Sequence, residues 1–264
     1  MSEQEEKKKH RRVDFEEKLP FTDHLEELRY RIMIIVGSVI LMFLFTYAYS
    51  HQIMTYLQTP MNQDLVFIAP TEAFFVKMKV AFLLAMGICV PIIIYQGWEF
   101  IAPGLLEKEK RYTLPFVLLA TFFFLLGAGF CFFIVLPYGI QFLLGYGGDI
   151  IHPMISVGNY VSFVLKLMIA FGIVFQLPLV IPFLVKLGVV TPDKLAHWRK
   201  YAIVVFFLLA AILTPPDIFT QVVMAGPLIL LYELGILVGK VVYKRKMAAK
   251  AAEEEDDDET VSVS

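Results

Sequence analysis

Long runs of apolar residues, nearly free of charge, are the feature that most constrains how this chain can fold. A helix rises ~1.5 Å per residue, so roughly 20 apolar residues are needed to cross the ~30 Å hydrocarbon core of a bilayer. The runs predict an all-α polytopic membrane protein, and a hydrophobic share of 58% against 18% charged residues excludes an ordinary soluble domain. We predict six transmembrane helices, at about residues 32–49, 72–98, 114–136, 160–185, 201–213 and 222–239.

The last two runs are weaker than the other four. Residues 201–213 supply about 20 Å of helix, and the final run contains Glu233. Two interpretations fit: six full spans, or four spans followed by a re-entrant hairpin made of the last two runs. Both return the chain to the same side of the membrane, and we prefer six spans.

Positive charges predict the orientation, because cytoplasmic loops retain Lys and Arg. Of the 23 Lys and Arg residues, 20 lie in four segments, namely residues 1–31, 99–112, 186–200 and 240–250. The intervening loops contain none, and the three remaining cations, Lys77, Lys79 and Lys166, lie within the apolar runs or at their outer ends. Both termini are therefore predicted to be cytoplasmic.

The two ends of the chain differ in composition from the membrane domain at 20–245. We expect residues 1–19 to form a disordered charged tail and residues 246–264 a disordered acidic tail. No cleavable signal peptide is visible, and the first span is long enough to act as a signal anchor. Because no transit peptide is visible either, a bacterial inner membrane is the predicted location.

Catalytic motifs are missing from the sequence. There is no HExxH, no G-x-S-x-G, no P-loop and no Gly-rich dinucleotide turn, and the five histidines are dispersed along the chain. Cys89 and Cys131 lie in apolar runs without the spacing of a metal site or a disulfide framework. We therefore expect no enzyme activity, no metal, no cofactor and no nucleic-acid partner.

The segment FTDHLEELRYRI, which leads into the first span, has the pattern of a short surface helix capped by Asp23. Glu27 and Arg31 are four residues apart in the favourable order for an ion pair, whereas Arg29 faces roughly the opposite way. The simplest interpretation is a positively charged membrane anchor that contains one ion pair within its helix.

The loop YQGWEFIAPGLLEKEKR combines Trp98 and Phe100 with Glu99, Glu107 and Glu109. Aromatic side chains at this depth usually belong to an interfacial belt. Carboxylates are less expected in a loop that orientation requires to be basic, and they could receive a cationic ligand.

Prolines recur within the predicted spans, at Pro91, Pro178, Pro182 and Pro227. Each removes a backbone hydrogen bond and bends its helix, so the spans are predicted to form a curved, concave wall.

Polar residues also occur within the spans or at their ends, and such residues are candidates for function. They are Lys166, Gln176, Glu233 and the group Thr214, Asp217 and Gln221 around the TPPD turn. The alternatives are snorkelling of Lys166 and Glu233 and local hydrogen bonding at the turn.

The chain resembles the TatC family, the polytopic subunit of the twin-arginine protein translocase. The resemblance covers about residues 20–245 and rests, in order, on HLEELRYR, YQGWEFIAPGLLEKEKR, FVLKLMIAFGIVFQLP, WRKY, TPPDIFTQ and LLYELG. It implies a receptor that binds paired-arginine signal peptides of folded cargo at the cytoplasmic face. It also implies assembly with the single-span subunits TatA and TatB, self-association in the complex, and transport powered by the proton-motive force.

The resemblance also implies roles for individual residues. Glu27, Arg29, Phe100 and Glu109 would form the signal-peptide binding surface. Thr214 and Gln221 would contact the polar residue of a TatA or TatB span, while Pro60 and Asp217 would shape the outer cap.

One position departs from the family pattern. Members usually carry glutamate before the proline of the fourth helix, whereas this chain has Gln176, which cannot titrate but can still hydrogen-bond a partner. The main alternative to a translocase receptor is a small secondary transporter with Lys166, Gln176 and Glu233 around a midplane site. No internal repeat of the kind common in such transporters is evident, and a membrane enzyme is weaker still.

Overall fold

All regular elements in the described part of the chain are helices. The structure, a computed structural model, describes residues 21–61, 65–101, 113–145, 154–213 and 218–262. The helices are α1 (Phe21–Ala48), α2 (Ser50–Leu57), α3 (Glu72–Ile101), α4 (Thr113–Phe130), α5 (Leu136–Gly145), α6 (Val157–Val174), α7 (Leu177–Leu187), α8 (Pro192–His197), α9 (Arg199–Leu213) and α10 (Ile218–Ser262). A π-helical turn, Cys131–Val135, joins α4 to α5.

Five helical stretches among the described residues are long and apolar enough to cross a membrane. They are His24–Ala48, Glu72–Phe100, Thr113–Gly145, Val157–Leu187 and Thr220–Ala248. The predicted fifth span forms the apolar helix α9, whose 15 residues are shorter than the others. At ~1.5 Å per residue α9 is about 22 Å long, so the structure supports five long spans, and six full spans stay a prediction.

Prolines account for two interruptions of the helices. The ring of Pro178 would clash with the carbonyl of Val174, four residues earlier, and α6 ends at Val174. Pro178 then lies in the first turn of α7, where its missing N–H costs nothing. The π-helical turn Cys131–Val135 ends two residues before Pro137, and it contains Phe133, whose carbonyl would meet the Pro137 ring in a regular α-helix. Pro91 lies inside α3, and the curved wall stays a prediction.

Both terminal helices differ from the sequence expectation. The segment that leads into the first span is continuous with it in α1, which begins at Phe21, before the predicted cap Asp23. The final helix α10 runs to Ser262, although the sequence predicted disorder over 246–264. The segment is rich in Ala, Lys and Glu, which are strong helix formers, and the last span continues into it without a helix breaker. The predicted tail at 1–19 lies outside the described residues.

Close contact between α4 and α6 holds the centre of the bundle together. A Cβ atom at Gly127 would lie 2.6 Å from the carbonyl oxygen of Phe171, and one at Gly172 would lie 2.6 Å from the ring of Phe124. Small residues at such positions let membrane helices approach closely. The two glycines therefore fix the distance between α4 and α6. Cys89 and Cys131 are buried in the core.

At the end of the bundle opposite the basic loops, hereafter the outer end, the Glu72 carboxylate joins two loop segments. It accepts hydrogen bonds from the Ser156 hydroxyl, from the backbone N–H of Gly158 at 2.6 Å, and from the N–H of Ile68 at 2.7 Å and Ala69 at 3.4 Å. The donors come from before α3 and from the start of α6. Glu72 therefore fastens the loop after α2 to α6.

Backbone contacts reinforce this junction. The N–H of Val66 donates to Ile155 O at 3.0 Å, and the N–H of Val157 donates to Val66 O at 3.1 Å. The Tyr160 hydroxyl donates to Leu57 O at 2.7 Å. The outer end is consequently an ordered cap in the described residues.

Pro60 belongs to the same cap. It lies in a turn closed by a 2.8 Å hydrogen bond from the Met61 N–H to Gln58 O, and Met61 is buried in the core. The structural role predicted for Pro60 stays a prediction.

We expect Glu72→Gln to lower the midpoint of thermal unfolding in detergent. Glutamine keeps the shape but offers one acceptor oxygen instead of two, and it turns an NH₂ donor toward backbone donors. Glu26→Gln, which changes an exposed carboxylate at the other end, is the control. Equal midpoints for the two variants would contradict the proposed fastening role.

The predicted orientation can be tested because both native cysteines are buried and should not react. Thr59 and Asp193 are exposed at opposite ends of the bundle. A membrane-impermeant maleimide should label Thr59→Cys in intact cells, and Asp193→Cys only after the cells are broken. The reverse pattern would show that the termini are not cytoplasmic.

Candidate functional site

The basic end of the bundle brings the start of α1 against the end of α3 through Arg31. Its Nε donates to Glu27 Oε1 at 3.0 Å, and its Nη2 bonds the same oxygen. These bonds confirm the predicted ion pair within α1. Across the helix interface, Nη1 donates to Gln96 Oε1 at 3.2 Å, and Nη2 lies 3.9 Å from Glu99 Oε2. One guanidinium is thus held by two carboxylates and an amide.

This cluster is partly open. The Arg31 side chain is 17% exposed, that of Glu27 23% and that of Glu99 35%. Arg29 is exposed and shows no contact with Glu27 in the described residues, as the helical spacing predicted. Partly exposed carboxylates contribute more to binding than fully solvated ones, because water screens them less.

Phe100 completes the surface on its apolar side. Its ring stacks on His24, with centroids 4.2 Å apart and planes 16° apart. Because His24 lies one turn before Glu27, the ring pair and the ion cluster form one continuous patch. We call this patch the α1–α3 surface, and its residues are His24, Glu27, Arg31, Gln96, Glu99 and Phe100.

Trp98 lies beside this surface and faces the interior. It is buried at 5% exposure, its Nε1 donates to Thr113 Oγ1 at 2.9 Å, and its ring packs on Phe116 and Phe183 at 4.1 and 4.8 Å. The expectation that Trp98 belongs to an interfacial belt is therefore wrong, since α4 and α7 cover the ring. Trp98 ties together the helices that flank residues 102–112.

The family model described as Sec-independent protein translocase protein (TatC) matches residues 23–227 of this chain. The chain belongs to the TatC family. The TatC of Desulforapulum autotrophicum is 43% identical over 237 residues, covering 88% of each chain. The TatC of Aquifex aeolicus is 43% identical over 235 residues, covering 86% of this chain and 98% of its own.

A solved structure described as the twin-arginine translocase receptor TatC is also similar. It superposes with a TM-score of 0.76 at 42% identity and covers 83% of this chain and 99% of that chain. The resemblance stated from the sequence is confirmed. As a TatC family member, the chain is a membrane-embedded component of a protein translocase.

Several residues to which the TatC resemblance assigned roles fall outside the described part of the chain. Glu109 lies in 102–112, and Thr214 and Asp217 lie in 214–217. Gln221 is described, and its Nε2 donates to Phe207 O of α9 at 2.9 Å. This amide therefore links α9 to α10, and its oxygen accepts no hydrogen bond from the part of the chain that the structure describes.

Gln176 lies at the break between α6 and α7 and donates from Nε2 to Ala120 O of α4 at 2.8 Å. A carboxylate could not make this bond unless it were protonated. The amide of Gln176 is therefore used within the chain.

Lys166, Gln176 and Glu233, which the transporter alternative places around one site, lie apart from one another. Glu233 receives Nε and Nη2 of Arg199 at 2.7 and 2.9 Å, which holds α10 against the start of α9 at the basic end. Lys166 is exposed and about 15 Å along the helix from Gln176, whose amide bonds α4. The described residues thus show no common midplane site, and no three His, Cys, Asp or Glu among them lie close enough to hold a metal.

Sequence reasoning missed His24 and Gln96. His24 shares the helical face of Glu27 and Arg31, and Gln96 lies three and four residues before Glu99 and Phe100. These spacings place each set on one face and could have indicated both residues. That the two faces meet is visible only in the structure.

We expect Gln176→Leu to lower the free energy of unfolding by about 0.6 to 2 kcal/mol, because the Ala120 carbonyl loses its side-chain donor. Unfolding by sodium dodecyl sulfate, followed by circular dichroism, would measure it. Gln141→Leu, which changes an exposed amide on α5, is the matched control and should have little effect. A loss in the control as large as that in Gln176→Leu would show that hydrogen bonding to α4 is not the cause.

Proposed function

We propose that this chain is the receptor subunit of a twin-arginine translocase and binds paired-arginine signal peptides on the α1–α3 surface. The observation that carries the proposal is Arg31 itself. A guanidinium already occupies the space between Glu27, Gln96 and Glu99. The surface therefore presents acceptor oxygens at the distances that the N–H donors of an arginine need.

The chemistry of arginine supports this choice of ligand. Guanidinium is planar, always charged and able to form parallel hydrogen bonds to carboxylates, whereas lysine offers a compact point charge. Glu27 and Glu109 would each receive one arginine of the pair. Arg29 would orient the peptide from the neighbouring face, and the half-buried ring of Phe100 would pack against an apolar residue of the signal.

The magnitudes are sufficient for a transient receptor. Hydrogen bonds to charged groups contribute about 1.5 to 3 kcal/mol each, and micromolar affinity corresponds to about -8 kcal/mol. A few such bonds, together with burial of the signal's apolar stretch in the membrane, reach that value. Exposed ion pairs alone would not.

The proposal includes the topology. Six spans with both termini in the cytoplasm of a bacterium would place the α1–α3 surface where cargo proteins are made, and would embed the chain in the inner membrane among lipid. Transport would draw on the proton-motive force.

Partner subunits would bind near the outer ends of α9 and α10. Thr214 and Asp217 follow α9 in the sequence, and Gln221 lies in the first turn of α10. The Gln221 amide oxygen accepts no hydrogen bond from the described residues and can accept one from a polar residue of a TatA or TatB span. One such bond in lipid contributes about 0.6 to 2 kcal/mol, so it would set position more than affinity. Exposed apolar side chains on α1 and α9 leave area for lipid, partners or further copies of the chain.

The deciding experiment is binding of a fluorescent paired-arginine peptide, and of its paired-lysine version, to the purified protein in detergent. We expect arginine-selective binding that weakens at least tenfold in Glu27→Ala and in Glu109→Ala, since each removes a charged acceptor. Glu26→Ala and Glu107→Ala remove neighbouring carboxylates and serve as matched controls. Equal binding of both peptides to the unchanged protein would refute the receptor proposal.

A further inference from the structure

Arg31 has more partners than an ordinary helix ion pair requires. Three of its nitrogens are directed at Glu27, Gln96 and Glu99, two of which belong to another helix. Its side chain is 17% exposed, less than that of either carboxylate. Both hydrogen bonds from Arg31 to Glu27 end on Oε1, and no hydrogen bond in the described residues reaches Oε2.

Any cation that binds Glu27 therefore meets a guanidinium already in place. It can approach Oε2, but to bind the whole carboxylate it must take over Oε1 from Arg31. A guanidinium that replaces a guanidinium restores the same planar set of N–H donors. An ammonium group that replaces it cannot, so part of the hydrogen bonding is lost.

The charges of the cluster also disfavour lysine relative to arginine. Glu27 and Glu99 carry two negative charges, and Arg31 cancels one of them. Without Arg31 the partly buried carboxylates would attract any cation by charge alone, and lysine would gain most because its binding depends least on geometry.

The geometry points to Arg31 as a specificity-determining residue, a resident competitor that makes the α1–α3 surface select arginine over lysine. This inference rests on the proposed receptor function. It assigns the discrimination to displacement of an internal arginine, in addition to the carboxylates that receive the signal. Specificity of this kind is a difference between two affinities and is obtained by penalising the wrong ligand.

The test compares dissociation constants of the paired-arginine and paired-lysine peptides for the unchanged protein, Arg31→Gln and Arg31→Lys. In Arg31→Gln the paired-lysine peptide should bind about tenfold more tightly, and the paired-arginine peptide should gain less, so the selectivity ratio falls. Arg31→Lys should give an intermediate ratio, because a resident ammonium is easier to displace. Arg199→Gln breaks another interhelical ion pair at the same end of the bundle and should leave the ratio unchanged.

Two results would overturn the inference while leaving the receptor proposal intact. One is an unchanged ratio in Arg31→Gln. The other is loss of paired-arginine binding in both Arg31 variants while their thermal unfolding matches that of Arg199→Gln, which would make Arg31 a residue that positions Glu27. Absence of arginine selectivity in the unchanged protein is a separate outcome, because it refutes the receptor proposal itself.

Discussion

The lack of water in a bilayer is the constraint on which the rest of this structure depends, because every polar group there must find its partner within the protein. The described residues meet it by donating side-chain hydrogen bonds to carbonyls of neighbouring elements. Thr46 bonds Ala81, Gln176 bonds Ala120, Gln221 bonds Phe207 and Tyr232 bonds Leu195. No buried side-chain nitrogen or oxygen in this part of the chain lacks a hydrogen bond. Polar residues within the helices thus determine which helices are neighbours.

How much of the fold could be predicted from the sequence depends on how far apart the interacting residues are along the chain. Apolar runs and proline positions indicate where helices form and break, since both depend on neighbours within a few residues, and the break before Pro178 is an example. The contacts of Glu72 could not be predicted in this way, because its donors Ser156 and Gly158 are more than 80 residues away. No local sequence pattern indicates such contacts. The long α10 was missed for another reason. A charged composition by itself predicts disorder, whereas here the apolar helix continues into residues that prefer the helix.

One part of the candidate site could likewise be predicted from local spacing, and the other part could not. The pair of Glu27 and Arg31 follows from a spacing of four residues and was predicted. Its contacts with Gln96 and Glu99 depend on how α1 crosses α3, which single-chain periodicity does not encode. Trp98 was misassigned because an aromatic ring at the membrane surface and one packed between helices have the same sequence signature.

The short helix α9 has a consequence for the lipid around it. Its 15 residues reach about 22 Å, about 8 Å less than the hydrocarbon core that a spanning helix must match. In the proposed arrangement of six spans, lipid chains beside α9 would compress to match its length, at an elastic cost of a fraction of a kcal/mol per Å. Two short helices that share one compressed region deform less lipid than two that are apart. In that arrangement the bilayer itself would favour association of this edge of the protein with other short membrane helices.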